Sequence, residues 1–173
     1  MNKKIFVFLF DGFSDWEIAF LTPEIQKSTT FDLVYFSIDG GSVSSMGGLS
    51  IAPNLSLEEV DVNTIDLLIL PGGTAWEENK NTEIESLVTS LFDSKKSIAA
   101  ICAATTYLGK LGFLDHLKHT SNDLNYLKGI APQYLGETHL ASYSDLITTG
   151  VGGIYLGEVL FRVSELVLDD RTY

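Results

Sequence analysis

The sequence predicts an α/β fold wound around a mostly parallel sheet. Three observations carry that prediction. IFVFLF, closing the segment 4–10, is an apolar run without alternation, the pattern of a strand covered on both faces, and 65–70 and 97–101 are further short, mostly apolar segments. Residues 82–91 and 154–168 place their apolar side chains at helical spacing. The apolar runs close on turn-forming residues, Asp11-Gly12 after the first, and Pro71-Gly72-Gly73 after the run that ends at Leu70.

Each element follows from local chemistry. Lys4 to Phe10 is the first strand. After it, Ser14 or Asp15 is placed to cap a helix carrying Trp16, Ile18, Ala19, Phe20 and Leu21, and Pro23 fits the first turn of a second piece or a kink. Phe31 to Ile38 is the second strand, turned by Asp39-Gly40-Gly41. The glycine-rich stretch 43–53 suggests a small hairpin. Ser56 with Glu59 forms a capping-box pattern for a short helix. Ile65 to Leu70 is the third strand. In the helix 82–91, Ile84, Leu87, Val88 and Leu91 face one way, and Glu83 and Glu85 sit in its first turn, where negative charge is favoured. Ser97 to Ile101 is the fourth strand, and the small residues from Ala103 onward start a helix that Gly112 ends. Beyond it, 138–141 reads as a short strand, 145–150 as the last strand and 154–168 as the final helix. The order strand, helix, strand, loop, strand, helix, strand, helix is that of right-handed crossovers in one domain spanning 1–173.

Composition narrows the function. With 23 acidic residues against 11 Lys and Arg, the formal net charge is -12. That excess argues against nucleic acid, whose phosphates need cations, and against an anionic membrane surface. The first apolar run is too short for a signal peptide and is followed by an acid, so it reads as a buried strand. One cysteine excludes an internal disulfide and suits a reducing cytoplasm. No GxxxxGK[ST] or GxGxxG pattern supports a nucleotide, and the histidines His116, His119 and His139 lack ligand spacing, so neither metal nor other cofactor is expected.

That cysteine is the centre of the functional reading. Cys102 stands between a strand and a helix, and a sharp turn there lifts the thiol above the sheet edge, as nucleophile elbows do for serine. A helix N-terminus beneath it is expected to favour the thiolate. A lone cysteine in an apolar run also reads as core filling. Against that stand the small residues Ala103-Ala104-Thr105-Thr106 after it, and two other strand ends suited to meet it. Glu17, between Trp16 and Ile18, reads as a partly desolvated carboxyl with a raised pKa, able to hold or deliver a proton. Gly72-Gly73 lets the backbone approach closely, so the amides of Gly73 and Ala103 are candidate oxyanion donors. His119 lies near enough in sequence to reach the same crevice.

Taken in order, the segments IFVFLFDGFSDWE, LLILPGG and IAAICAATTYLGKLGFLD resemble the ThiJ/PfpI family of the class I glutamine-amidotransferase-like superfamily. The likeness extends over nearly the whole chain. It implies a flavodoxin-like three-layer sandwich, a homodimer, Cys102 in the elbow with Glu17 beside it, and oxyanion donors at Gly73 and Ala103. Members of that family often carry histidine in a Thr-Thr-His-like segment after the elbow helix. Here Thr120-Ser121 match the two threonines, so Asn122 stands in the histidine position and His119 falls three residues before it. Asn122 can orient a substrate or a water but cannot act as a base near neutral pH. The family includes peptidases, glyoxalases or deglycases, an isocyanide hydratase, chaperones and oxidative-stress sensors. The leading expectation is a cysteine-centred enzyme acting on a small carbonyl or amide substrate. The alternatives are a protein that responds to oxidation of Cys102 and a scaffold with a degenerate site.

Overall fold

A computed structural model describes residues 2–115 of the chain. The strands read at 138–141 and 145–150, the helix read at 154–168, and the residues His116, His119, Asn122 and His139 lie outside the described residues.

The elements are β1 (Lys3–Phe8), α1 (Asp15–Ala19), α2 (Leu21–Lys27), β2 (Phe31–Ser37), β3 (Val43–Ser44), β4 (Ser50–Ile51), β5 (Leu55–Ser56), β6 (Leu67–Leu70), α3 (Glu85–Asp93), β7 (Ser97–Ala100) and α4 (Ala104–Lys110). The first compact unit runs from Met1 to Tyr107 and contains every one of these strands. The second begins at Leu108. Its described part is the end of α4 and a turn, where Gly112, at φ +77°, donates its N–H to Gly109 and Phe113 donates to Leu108.

Five strands form one sheet in the order β5-β2-β1-β6-β7, with every neighbouring pair parallel. This is a flavodoxin-like α/β fold, a parallel sheet flanked by helices. The central strands explain the unbroken apolar runs. All four residues of β6 are buried, as are the last four of β1, because β1 lies between β2 and β6, and β6 between β1 and β7. Partly exposed β2 carries a mixed sequence.

Local signals set the element ends. Pro23 sits in the first turn of α2, where its missing N–H costs nothing. The Ser56–Glu59 capping box is present, and it caps a single 3-10 turn, Leu57–Glu59. Stretch 43–51 does hold a hairpin, β3 paired antiparallel with β4. Residues 82–84 are 3-10, and α3 proper starts at Glu85.

The core meets the future site through aromatic rings. Trp76 is 1 % exposed, its ring centroid 5.2 Å from Phe10, 6.1 Å from Phe8 and 4.9 Å from Tyr107. Its indole Nε1–H donates to the Pro71 carbonyl at 2.8 Å. Buried aromatics of this size dominate core energetics, and the indole bond satisfies the one polar atom the ring carries. Trp76 therefore holds the 71–76 turn against β1 and the start of α4.

Candidate active site

Strand order decides where a site can form. The chain moves from β1 outward to β2 and β5, then returns to the other side of β1 for β6 and continues to β7. Such sheets bind ligands beyond the carboxyl ends of strands where the winding reverses. The segments leaving β1, β6 and β7 meet at that place, and they carry Glu17, Gly72-Gly73 and Cys102.

Cys102 is half-buried between β7 and α4 and adopts φ +52°, in the left-handed region. For a residue with a Cβ this conformation costs about 1–2 kcal/mol. The surroundings hold it there. Ile101 donates its N–H to Leu70 at 3.0 Å, continuing the β6–β7 pairing up to the bend. Past it, the Thr105 N–H and hydroxyl both reach the Cys102 carbonyl, at 3.0 and 2.7 Å, and the Thr106 hydroxyl reaches the Ala103 carbonyl at 2.6 Å. The Ala103 N–H donates to the sulfur.

Glu17 arrives from α1 and is 5 % exposed. Its Oε2 accepts the Gly72 N–H at 2.5 Å, and the Cys102 thiol donates to the same carboxylate. Gly72 is wedged between the pair. A Cβ on it would lie 2.7 and 2.8 Å from the two Glu17 oxygens and 2.9 Å from the Cys102 Cβ. The sequence reading gave Gly72 only close backbone approach; the structure adds that no side chain fits there. Ser14 precedes α1 without capping it through its side chain; its hydroxyl donates to the Met46 sulfur at 3.6 Å and lies near enough to Glu17 to favour the charged carboxylate.

Two titrations follow from this geometry. Burial pushes the Glu17 carboxyl above its ordinary 4.5, opposed by the Gly72 N–H and then by the Cys102 and Ser14 hydrogen bonds. Burial also pushes the Cys102 thiol from an ordinary 9.0 up to about 11, and the Glu17 charge is the next cause. The expectation that the helix N-terminus makes Cys102 a ready thiolate is therefore corrected. The Ala103 amide does pull toward the thiolate, but desolvation and the adjacent carboxylate outweigh it. The resting pair is a thiol donating to a carboxylate, with the proton poised between two groups that burial makes reluctant to be charged.

Gly73, at φ +152° and ψ 154°, follows directly; a Cβ there would meet the Gly12 carbonyl at 2.7 Å. No acceptor among the described residues takes its N–H. Asp11 and Asp15, on the same strand exit as Glu17, hold backbone. Asp11 accepts the Ser44 N–H at 2.8 Å and Asp15 the Gly47 N–H at 3.2 Å, and Met46 donates to the Phe13 carbonyl. They pin the loop between β3 and β4 beside α1. Sequence reading missed this role, and it missed Trp76; a tryptophan three residues past a Pro-Gly-Gly turn was the available signal for the latter. No cluster of His, Cys, Asp and Glu suited to a metal occurs among the described residues.

Comparison with known proteins agrees with this fold. The model of the DJ-1/PfpI family matches residues 3–154. An uncharacterized protease, YoaZ of Bacillus subtilis, is 37 % identical over 144 residues, covering 79 % of this chain and 69 % of YoaZ. The deglycase TK1284 of Thermococcus kodakarensis is 29 % identical over 119 residues, 68 % of this chain and 71 % of that protein. Among solved structures, the DJ-1 superfamily protein Atu0886 of Agrobacterium tumefaciens superposes with a TM-score of 0.70 at 36 % identity, covering 79 % of this chain and 72 % of that one. A ThiJ/PfpI family protein of Bacillus anthracis gives 0.66 at 37 % identity, covering 79 % and 68 %.

Proposed function

The chain belongs to the DJ-1/PfpI family, within the class I glutamine-amidotransferase-like superfamily, and from that premise we propose that it is a cysteine-dependent hydrolase of small carbonyl or amide compounds. One observation carries the proposal. Cys102 is held in a left-handed backbone conformation at the bend between β7 and α4, with its thiol against a buried carboxylate. The strained bend and the desolvated acid both cost stability, and a purely structural cysteine needs neither. The names of relatives, a protease and a deglycase, point the same way.

The mechanism uses the proton between the two groups. As Sγ attacks the substrate carbon, the thiol proton passes to Glu17 and the carbonyl π pair moves onto oxygen. The Gly73 and Ala103 amides receive that oxyanion. The tetrahedral adduct collapses, the bond to the leaving nitrogen breaks, and Glu17 returns its proton to that nitrogen. Water then attacks the acyl-sulfur carbon, Glu17 takes the proton that water loses, and the restored thiol recovers it as the acid departs. A carboxyl whose pKa is raised by burial suits this alternation of taking and returning a proton. His119 and Asn122 are proposed to orient substrate or water. A reducing compartment such as the cytoplasm would keep the thiol free.

A panel of small amides, esters and amino-acid carbonyl adducts tests the reading. Turnover is expected in the wild type and is expected to fall at least about 100-fold in Cys102→Ala. Turnover that survives the substitution overturns it.

A homodimer is proposed as the working assembly. Trp16 and Phe20, four residues apart at α1, are 49 % and 68 % exposed, and Met46 and Leu49, on the loop that Asp15 pins beside α1, are 49 % and 55 % exposed. Large apolar side chains grouped on one surface favour burial against a partner. Sedimentation is expected to give twice the chain mass for the wild type and the monomer mass for Phe20→Asp. A monomeric wild type at micromolar concentration counts against it.

A further inference from the structure

At the end of the sheet away from Cys102, main-chain oxygens converge on one cation. The Lys96 Nζ donates to the carbonyls of Val62, Asn63 and Ile65 at 3.0, 2.7 and 2.7 Å. A lysine ammonium carries three hydrogens, and three acceptors take them. No ion pair among the described residues involves Lys96, so peptide dipoles rather than a carboxylate hold its charge.

The segment that supplies these oxygens is fixed by bonds of its own. The Asp61 side chain accepts the Asn63 N–H and the Asn63 amide, both at 2.9 Å. The Asp61 carbonyl accepts the Thr64 N–H at 3.0 Å and the Thr64 hydroxyl at 2.8 Å. Just past Ile65, the Asp66 N–H donates to the Lys4 carbonyl at 3.0 Å, and the Lys4 N–H to the Asp66 carboxylate at 2.7 Å. None of these bonds uses Lys96, so the three oxygens keep their places without it. Their distances suit N–H donors. Calcium needs oxygens at about 2.3–2.6 Å and magnesium at about 2.0–2.1 Å, with carboxylates to offset the second charge.

We propose that residues 62–65 form a binding cage for an ammonium-sized monovalent cation, which the chain fills with its own Lys96. The filled cage fastens the entry of β6 to the entry of β7. These strands run in register from Leu67 and Ser97 to Leu70 and Ala100, and they leave toward Gly72 and Cys102. The inference stands apart from the reading of Cys102 as a nucleophile.

Lys96→Ala removes the tethered ammonium and leaves the carbonyls. Its midpoint of thermal unfolding is expected to fall by several degrees, because buried acceptors lose a charged donor. Ammonium chloride is expected to recover part of that loss with saturation, as a ligand of the folded state does. Sodium chloride and tetramethylammonium chloride at the same ionic strength are expected not to, the first for its size and the second for want of N–H groups. The wild type is expected to show no rise specific to ammonium. No recovery, equal recovery in all three salts, or the same rise in the wild type overturns the inference. The wild type gives a second measurement that does not depend on the variant folding. With 15N-labelled lysine, the Lys96 ammonium, traced along its side chain from the backbone amide, is expected to give an NMR signal that persists at neutral pH, since hydrogens held by three carbonyls exchange slowly with water. Absence of that signal overturns the inference too.

Discussion

Gly72→Ala is expected to separate Glu17 from Cys102 and to lower turnover at least about 100-fold, as removing a proton-transfer group does. The cause is steric. The new methyl would stand 2.7 Å from a Glu17 oxygen and 2.9 Å from the Cys102 Cβ, so both must retreat. Gly72 has no positive φ, so the effect does not come from backbone strain at that residue. The retreat disrupts the Gly72 N–H bond to Glu17 and leaves a buried carboxylate less satisfied. Overpacking of this kind costs about 1–3 kcal/mol, which lowers the midpoint of thermal unfolding by several degrees in a chain of this size. Calorimetry and the pH dependence of Cys102 alkylation check it together. A variant with wild-type stability and an unshifted alkylation midpoint would remove the wedge argument.

Glu17→Gln is expected to act in opposite directions on stability and on activity. Glutamine keeps an oxygen to accept the Gly72 N–H and removes the charge that burial penalises. The sign follows from the raised carboxyl. Folded wild type holds this proton more tightly than the unfolded chain, so the group's favourable contribution is complete below 4.5 and is lost as pH rises through the folded value. The variant mimics the protonated form. Its advantage is therefore absent in acid, grows above 4.5 and levels off once the pH has passed the folded value. The same substitution removes the Glu17 charge and hydrogen bond that hold the proton on Cys102, so the alkylation midpoint is expected to drop below about 11. Turnover is expected to fall because the proton carrier is gone. A variant less stable than wild type at pH 7, or one whose thiol titrates higher, would contradict the assignment of causes.

The fold was legible where composition left one choice. The unbroken apolar runs of β1 and β6 admit only burial on both faces, and Pro71-Gly72-Gly73 can only end a strand. Cys102 and Glu17 stood out for the same reason, each being the residue whose chemistry disagrees with its neighbours. What stayed hidden depends on pairs distant in sequence. Gly72 as a wedge follows only once β6 is known to lie between β1 and β7. Asp11 reads as part of a turn and Asp15 as a helix cap until their partners, Ser44 and Gly47, are seen some thirty residues away. The titration of Cys102 could not be read from sequence either, since a helix start argues for the thiolate and only the depth of the sulfur beside Glu17 reverses it.

The left-handed backbone at residue 102 has an evolutionary corollary. Glycine adopts that conformation without the penalty a side chain incurs, so a single replacement would relax the bend while deleting the sulfur. Drift at this position runs downhill in folding energy toward an inert protein. A lineage that keeps the thiol there does so against a standing pull toward its loss, and copies released from selection should forfeit this residue early.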